Sequence, residues 1–114
     1  MRDYNDLLPL QEPTLYILLS LRGGEKHGYA ILKEVAELSE GRIQLSTGTL
    51  YGALYRLLDQ GLIVQVETED EKRGKKVYRL TRSGLEAFHT EVSRMKHILL
   101  EVNKQVRTTG DGQI

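Results

Sequence analysis

A mainly α-helical chain with one β-hairpin and a long terminal helix is what the sequence predicts, and three observations carry that prediction. Apolar residues recur at helical spacing over residues 27–38 and again over 46–58. Over residues 63–68 and 76–80 the period drops to two, as in paired strands. Gaps of three and four then alternate without a break through Leu85, Phe88, Val92, Met95, Leu99, Val102 and Val106, the spacing of a coiled-coil seam.

Taken in order, residues 1–10 form a polar-leaning lead with Leu7, Leu8 and Leu10, read as a short docking helix. Pro13 suits the first position of a helix, where its missing N–H costs nothing. The run TLYILLSLR continues it to a stop at Gly23 and Gly24, and its apolar residues lie on nearly every side. One packing partner cannot cover such a helix, so Leu15, Leu18 and Leu19 are expected against a second subunit. The helix over 27–38 buries Ile31, Leu32, Val35 and Leu38 and ends at Gly41. Arg42, Ile43, Gln44 and Leu45 then make a connector of the length that joins a helix-turn-helix pair.

Ser46 reads as the N-cap of the next helix, whose stripe is Leu50, Ala53, Leu54, Leu57 and Leu58, with Gly61 as its stop. The two strands follow, joined by a charged loop in which Gly74 is available for positive φ. Thr81 caps the last helix, over about 83–106. Some 24 residues at ~1.5 Å each make a rod of roughly 36 Å, too long to bury its stripe on so small a domain. Residues 108–114 carry no periodicity and read as a tail. The sum is mainly α with a β-hairpin wing: a winged helix-turn-helix over 1–80, a coiled-coil-like dimerisation helix over 81–107, and a flexible tail.

At 114 residues the chain is one domain with a modest core. It has no cysteine, hence no disulfide framework and no thiolate chemistry, which suits the cytoplasm. The longest apolar run, 15–19, is far too short to span a bilayer. His89 and His97 lie off the seam with no His or Cys at ligand spacing, so neither a metal nor a cofactor is expected. No phosphate loop, nucleophile elbow or paired buried carboxylates mark an enzyme.

The formal net charge is zero, which alone argues against a nucleic-acid partner, but the charge is unevenly spread. On the helix over 47–59 the outward side holds Thr47, Thr49, Tyr51, Tyr55 and Arg56, with Gly48 and Gly52 between them. Two glycines cost roughly 1 kcal/mol each in a helix interior. A helix that tolerates them presents its bare backbone to something that comes close. This is the expected recognition helix, threonines at base edges and tyrosines at phosphates, with Ser46 at its start. Lys72, Arg73, Lys75 and Lys76 make the wing locally basic, after the acidic Glu67, Glu69, Asp70 and Glu71. Lys26 and His27, at the start of the second helix, are further phosphate candidates, Lys26 the better of the two. The bland alternatives are a solvated face, a self-compensated turn and a packing histidine. The competing function is a winged helix that binds only protein.

Three blocks, HGYAILKEV at 27–35, GTLYGALYRLLDQGLI at 48–63 and KKVYRLTRSGLEAF at 75–88, resemble the PadR-type transcriptional regulators in order and spacing. The single helix after them is similar to the shorter subgroup. The resemblance implies a cytoplasmic homodimer that binds double-stranded operator DNA and usually represses. It also implies that a small aromatic ligand releases some relatives from DNA. For such a ligand the sequence offers only walls: Phe88, Val92, Met95 and Leu99 on the arm, facing Leu15, Leu18 and Leu19. There is no tryptophan to stack on it, and a closed, dry seam is the alternative.

Overall fold

Helices α1 (Glu12–Arg22), α2 (Gly28–Leu38) and α3 (Thr47–Asp59) precede a hairpin of β2 (Ile63–Val66) and β3 (Val77–Leu80), and α4 (Arg82–Thr109) closes the chain. The structure, a computed structural model, describes residues 10–67 and 75–109. The expected helix within 1–9, the wing tip with Lys72, Arg73 and Gly74, and the tail from 110 onward lie outside the described residues. The winged helix-turn-helix with a long C-terminal helix is present as the sequence predicts.

One element was not foreseen. Lys26 and His27 form a short strand, β1, so the sheet has three antiparallel strands in the order β1-β3-β2. Lys26 pairs with Tyr78 and His27 with Val77. His27 is therefore extended and stands before α2 as its N-cap residue rather than in its first turn. A two-residue strand is too short to show alternation, and only its partner β3 makes it a strand.

The core is built where the helices cross. Ile17, Leu18 and Leu21 of α1 meet Ile31 and Val35 of α2 and Leu50, Leu54 and Leu57 of α3, with Leu62, Ile63 and Tyr78 of the sheet below. Leu18 is wholly buried in its own chain, which removes it from the expected intersubunit set. Leu15 and Leu19 are partly exposed and stay available. Leu38, expected inside, is 40% exposed at the end of α2.

The stops of α2 and α3 are Schellman motifs, in which the two N–H groups past the helix end bond back to its last carbonyls. After α3, Gly61 N–H reaches Leu58 and Leu62 N–H reaches Leu57, at 3.1 and 3.0 Å. Gly61 has φ +74°, as its expected role requires. After α2 the left-handed residue is Glu40, φ +53°, with Gly41 following at φ +78°. The sequence pointed to Gly41 alone. A side chain in this region costs about 1–2 kcal/mol. Glu40→Gly is therefore expected to stabilise the protein by about 0.5–1 kcal/mol, after the extra freedom of glycine in the unfolded chain is counted. A thermal melt checks it.

Thr81 joins three pieces. Its hydroxyl donates to the Gly61 carbonyl at 2.6 Å and accepts from Gly84 N–H at 3.0 Å, capping α4 as expected. Its own N–H donates to the Leu62 carbonyl at 3.1 Å. The first turns of α4 then pack on the core through Gly84, Ala87, Phe88 and Glu91. A division at residue 81 thus cuts through one packed unit, and Phe88, expected at the dimer seam, is 7% exposed within its own chain. From residue 93 onward the described side chains of α4 are all exposed. No helix among the described residues is long and apolar enough to cross a membrane.

Candidate nucleic-acid interface

The outward side of α3 is the centre of the site. Leu50, Ala53, Leu54 and Leu57 are buried and fix which way the helix faces. That leaves Thr47, Gly48, Thr49, Tyr51, Tyr55, Arg56 and Asp59 exposed. Tyr55 is 75% exposed, and a side chain on Gly48 would meet nothing within 4 Å. The helix surface beside Tyr55 is thus open enough for another molecule to approach the backbone.

Ser46 accepts a hydrogen bond from Thr49 N–H at 3.1 Å and donates its hydroxyl proton to the Thr49 side chain at 2.9 Å. Both hydroxyls therefore serve the helix cap, leaving Thr47 as the threonine whose side chain projects from the first turn. Arg56 lies at the other edge of α3, where its guanidinium would stand 3.7 Å from a methyl added at Gly52 and shares a recess with Leu10, Gln11 and Thr14. It stands toward α1, apart from the tyrosines.

Tyr51 leans toward α2 and the wing. It shares a recess of about 390 Å³ with His27, Gly28, Tyr29, Lys75 and Lys76. The structure thus brings together five sequence-predicted residues from three stretches of the chain: Tyr51, His27, Lys75 and Lys76 here, with Tyr55 one turn along α3. Tyr78 lies beneath, its phenol pushed above the ordinary value by burial first and by neighbouring Tyr51 second.

Lys26 is elsewhere. Its ammonium donates to the Ser20 carbonyl at 2.7 Å and the Gly24 carbonyl at 3.3 Å, and lies 3.5 Å from Glu34. A cation on the carbonyl end of α1 is favourable electrostatics, and with 17% of the side chain exposed it fastens β1 to that end. Its charge is engaged within the fold, whereas Lys75 and Lys76 are both exposed. A second fastening ties α1 to the α2–α3 connector. Arg42 donates to Glu12 and, at 3.4 Å, to the Tyr16 hydroxyl. The hydrogen bond from Arg42 holds the Glu12 carboxyl below the usual range.

On the far side, α4 carries an exposed stripe. Met95, Leu99, Val102 and Val106 follow the expected seam, and Ile98, 56% exposed, widens it. Between α1 and α4 runs a mostly apolar groove of about 530 Å³ lined by Leu15, Leu19, Phe88, Val92 and Met95. Glu91 forms its polar wall, accepting from Leu10 N–H at 3.3 Å and from Arg94 at 2.6 Å. Neither Ile98 nor Glu91 entered the sequence reading. Ile98 falls outside a strict heptad, and a glutamate on an amphipathic helix ordinarily faces water.

The model of the transcriptional regulator PadR-like family matches residues 17–90. This chain belongs to the PadR family. It is 33% identical over 99 residues to the transcriptional regulator Rv3488 of Mycobacterium tuberculosis, covering 86% of this chain and 90% of that protein. A crystal structure of a PadR family transcription regulator from Clostridium difficile superposes with a TM-score of 0.70 at 26% identity, over 84% of this chain and 99% of the other. Bacillus subtilis PadR, solved in complex with operator DNA, gives 0.59 at 28% identity, over 72% of this chain and 47% of that one. The chain is thus a PadR-family transcriptional regulator, the class to which the three sequence blocks pointed.

Proposed function

We propose that this PadR-family chain is a homodimeric repressor that places α3 in the major groove of an inverted-repeat operator and the wing on the adjacent backbone. One observation carries the reading. The open face of α3, with Thr47, Tyr51 and Tyr55, lies on the same side as exposed Lys75 and Lys76, just before β3. The operator complex of the B. subtilis relative supports it. A two-fold dimer reads half-sites about 10 base pairs apart, or a multiple.

The wing lysines meet phosphates, which carry no base information. Lys75→Ala and Lys76→Ala are expected to weaken binding to operator and random duplex alike, each lowering the slope of log K against log salt by about 1. Gel shifts over a salt series read both. A wild-type protein that binds no duplex even at low salt would leave the protein-only winged helix as the function.

The groove between α1 and α4 favours one addition. Its apolar walls, with Phe88, Val92 and Met95 as the expected ligand contacts, suit a small aromatic ligand with one polar group at Glu91 or Arg94. Such a ligand acts by favouring one angle between the arms over another, which changes the spacing of the two recognition helices. A planar aromatic compound that raises the melting temperature and lowers operator affinity is the expected signature.

A further inference from the structure

Gly28 is a glycine that its backbone does not require. Positive φ among the described residues falls at Glu40, Gly24, Gly41 and Gly61, so residue 28, the first of α2, has a conformation open to any L residue. Helix propensity favours alanine there. What excludes a side chain is Tyr51, reaching across from α3. A methyl on residue 28 would stand 2.5 Å from the Tyr51 hydroxyl oxygen and 2.8 Å from the ring carbon that bears it.

Gly28 is buried under this contact, while Tyr51 itself keeps 47% of its surface in solvent. The tyrosine therefore does not close the core, as a packing residue would. Its hydroxyl is instead held in the recess that Lys75 and Lys76 line, beside the first turn of α2. The lysines come from the wing side and the tyrosine from the recognition helix, so the recess joins the two parts of the proposed DNA surface.

We propose that Gly28 is a positioning residue for DNA. By lacking a side chain it lets the Tyr51 phenol lie against α2, where its hydroxyl and the two lysines address the same stretch of duplex backbone. This rests on the DNA-binding reading and deepens it, because it assigns the spacing between α3 and the wing to a contact that itself touches no base. With a methyl at position 28 the phenol swings away from the recess. The fold survives, because the clashing atoms are the far end of a side chain with two rotatable bonds and not backbone.

The test uses the full chain as wild type, Gly28→Ala, Tyr51→Phe and the double variant, each titrated with operator and random duplex and each melted. Gly28→Ala is expected to melt no lower than wild type yet bind both duplexes about tenfold more weakly, the scale of one hydrogen bond to a charged group. Tyr51→Phe should lose a similar factor, and the double variant should bind no more weakly than the weaker single one, since both remove the same contact. A merely structural role would move stability and affinity together. Wild-type affinity in Gly28→Ala, losses that multiply in the double variant, or a Gly28→Ala protein that melts well below wild type would each overturn the assignment. A wild-type protein that binds no duplex at all would instead remove the DNA-binding reading beneath it.

Discussion

Gly84→Ala is expected to cost about 3 kcal/mol or more, the upper end of what overpacking does, because nothing around the new methyl can yield. It would lie 2.0 Å from the Leu62 carbonyl oxygen and 3.0 Å from a methyl of Leu80. That carbonyl accepts from Thr81 N–H at 3.1 Å, and Gly84 N–H is itself held by the Thr81 hydroxyl. Relief requires α4 to lift off the sheet, which uncovers Ala87 and Phe88 and breaks the cap. A loss of this size in a domain of about 100 residues lowers the melting temperature by on the order of 10–20 °C. Gly48→Ala is the control. With nothing within 4 Å of the added carbon, it should gain up to about 1 kcal/mol. A Gly84→Ala protein that melts with wild type would show that α4 does not need this close approach.

Leu99→Asp is expected to leave the chain folded and abolish the dimer. In the single chain Leu99 is 59% exposed on an arm whose described side chains beyond residue 92 face solvent, so the substitution disturbs no intrachain packing. In the proposed dimer the same position is at the seam between two arms. There an unpaired carboxylate is buried at a cost of several kcal/mol per protomer, which raises the dimer dissociation constant by orders of magnitude. Leu100→Asp, one residue on and facing away from the seam, should remain dimeric. Sedimentation at micromolar concentration decides the matter, and a folded, dimeric Leu99→Asp protein would sink the arrangement.

The elements that repeat a pattern over many residues were legible in the sequence. The buried side of α3, its cap at Ser46, its stop at Gly61 and the two hairpin strands follow from spacing and turn chemistry, and the structure has them. The length of α4 was legible too, within a few residues at its end. What the spacing could not tell was how α4 divides its stripe. Residues Gly84, Ala87, Phe88 and Glu91 turn it into the chain's own core, and only from Met95 does it become an exposed arm.

The site divides in the same way. The sequence by itself determined that α3 has an open, glycine-broken face and that the wing is basic, because both are properties of contiguous residues. Tertiary structure decided which polar groups are spoken for. Ser46 and Thr49 bond to each other, Lys26 holds the end of α1, and Arg56 sits at the α1 edge. It also decided that Gly84 must lack a side chain, for a carbonyl, and that a side chain at Gly28 would displace a phenol, each from a part of the chain more than twenty residues away. A missing Cβ carries no periodic signal. The atom that forbids it belongs to another element, and only the packed chain brings the two together.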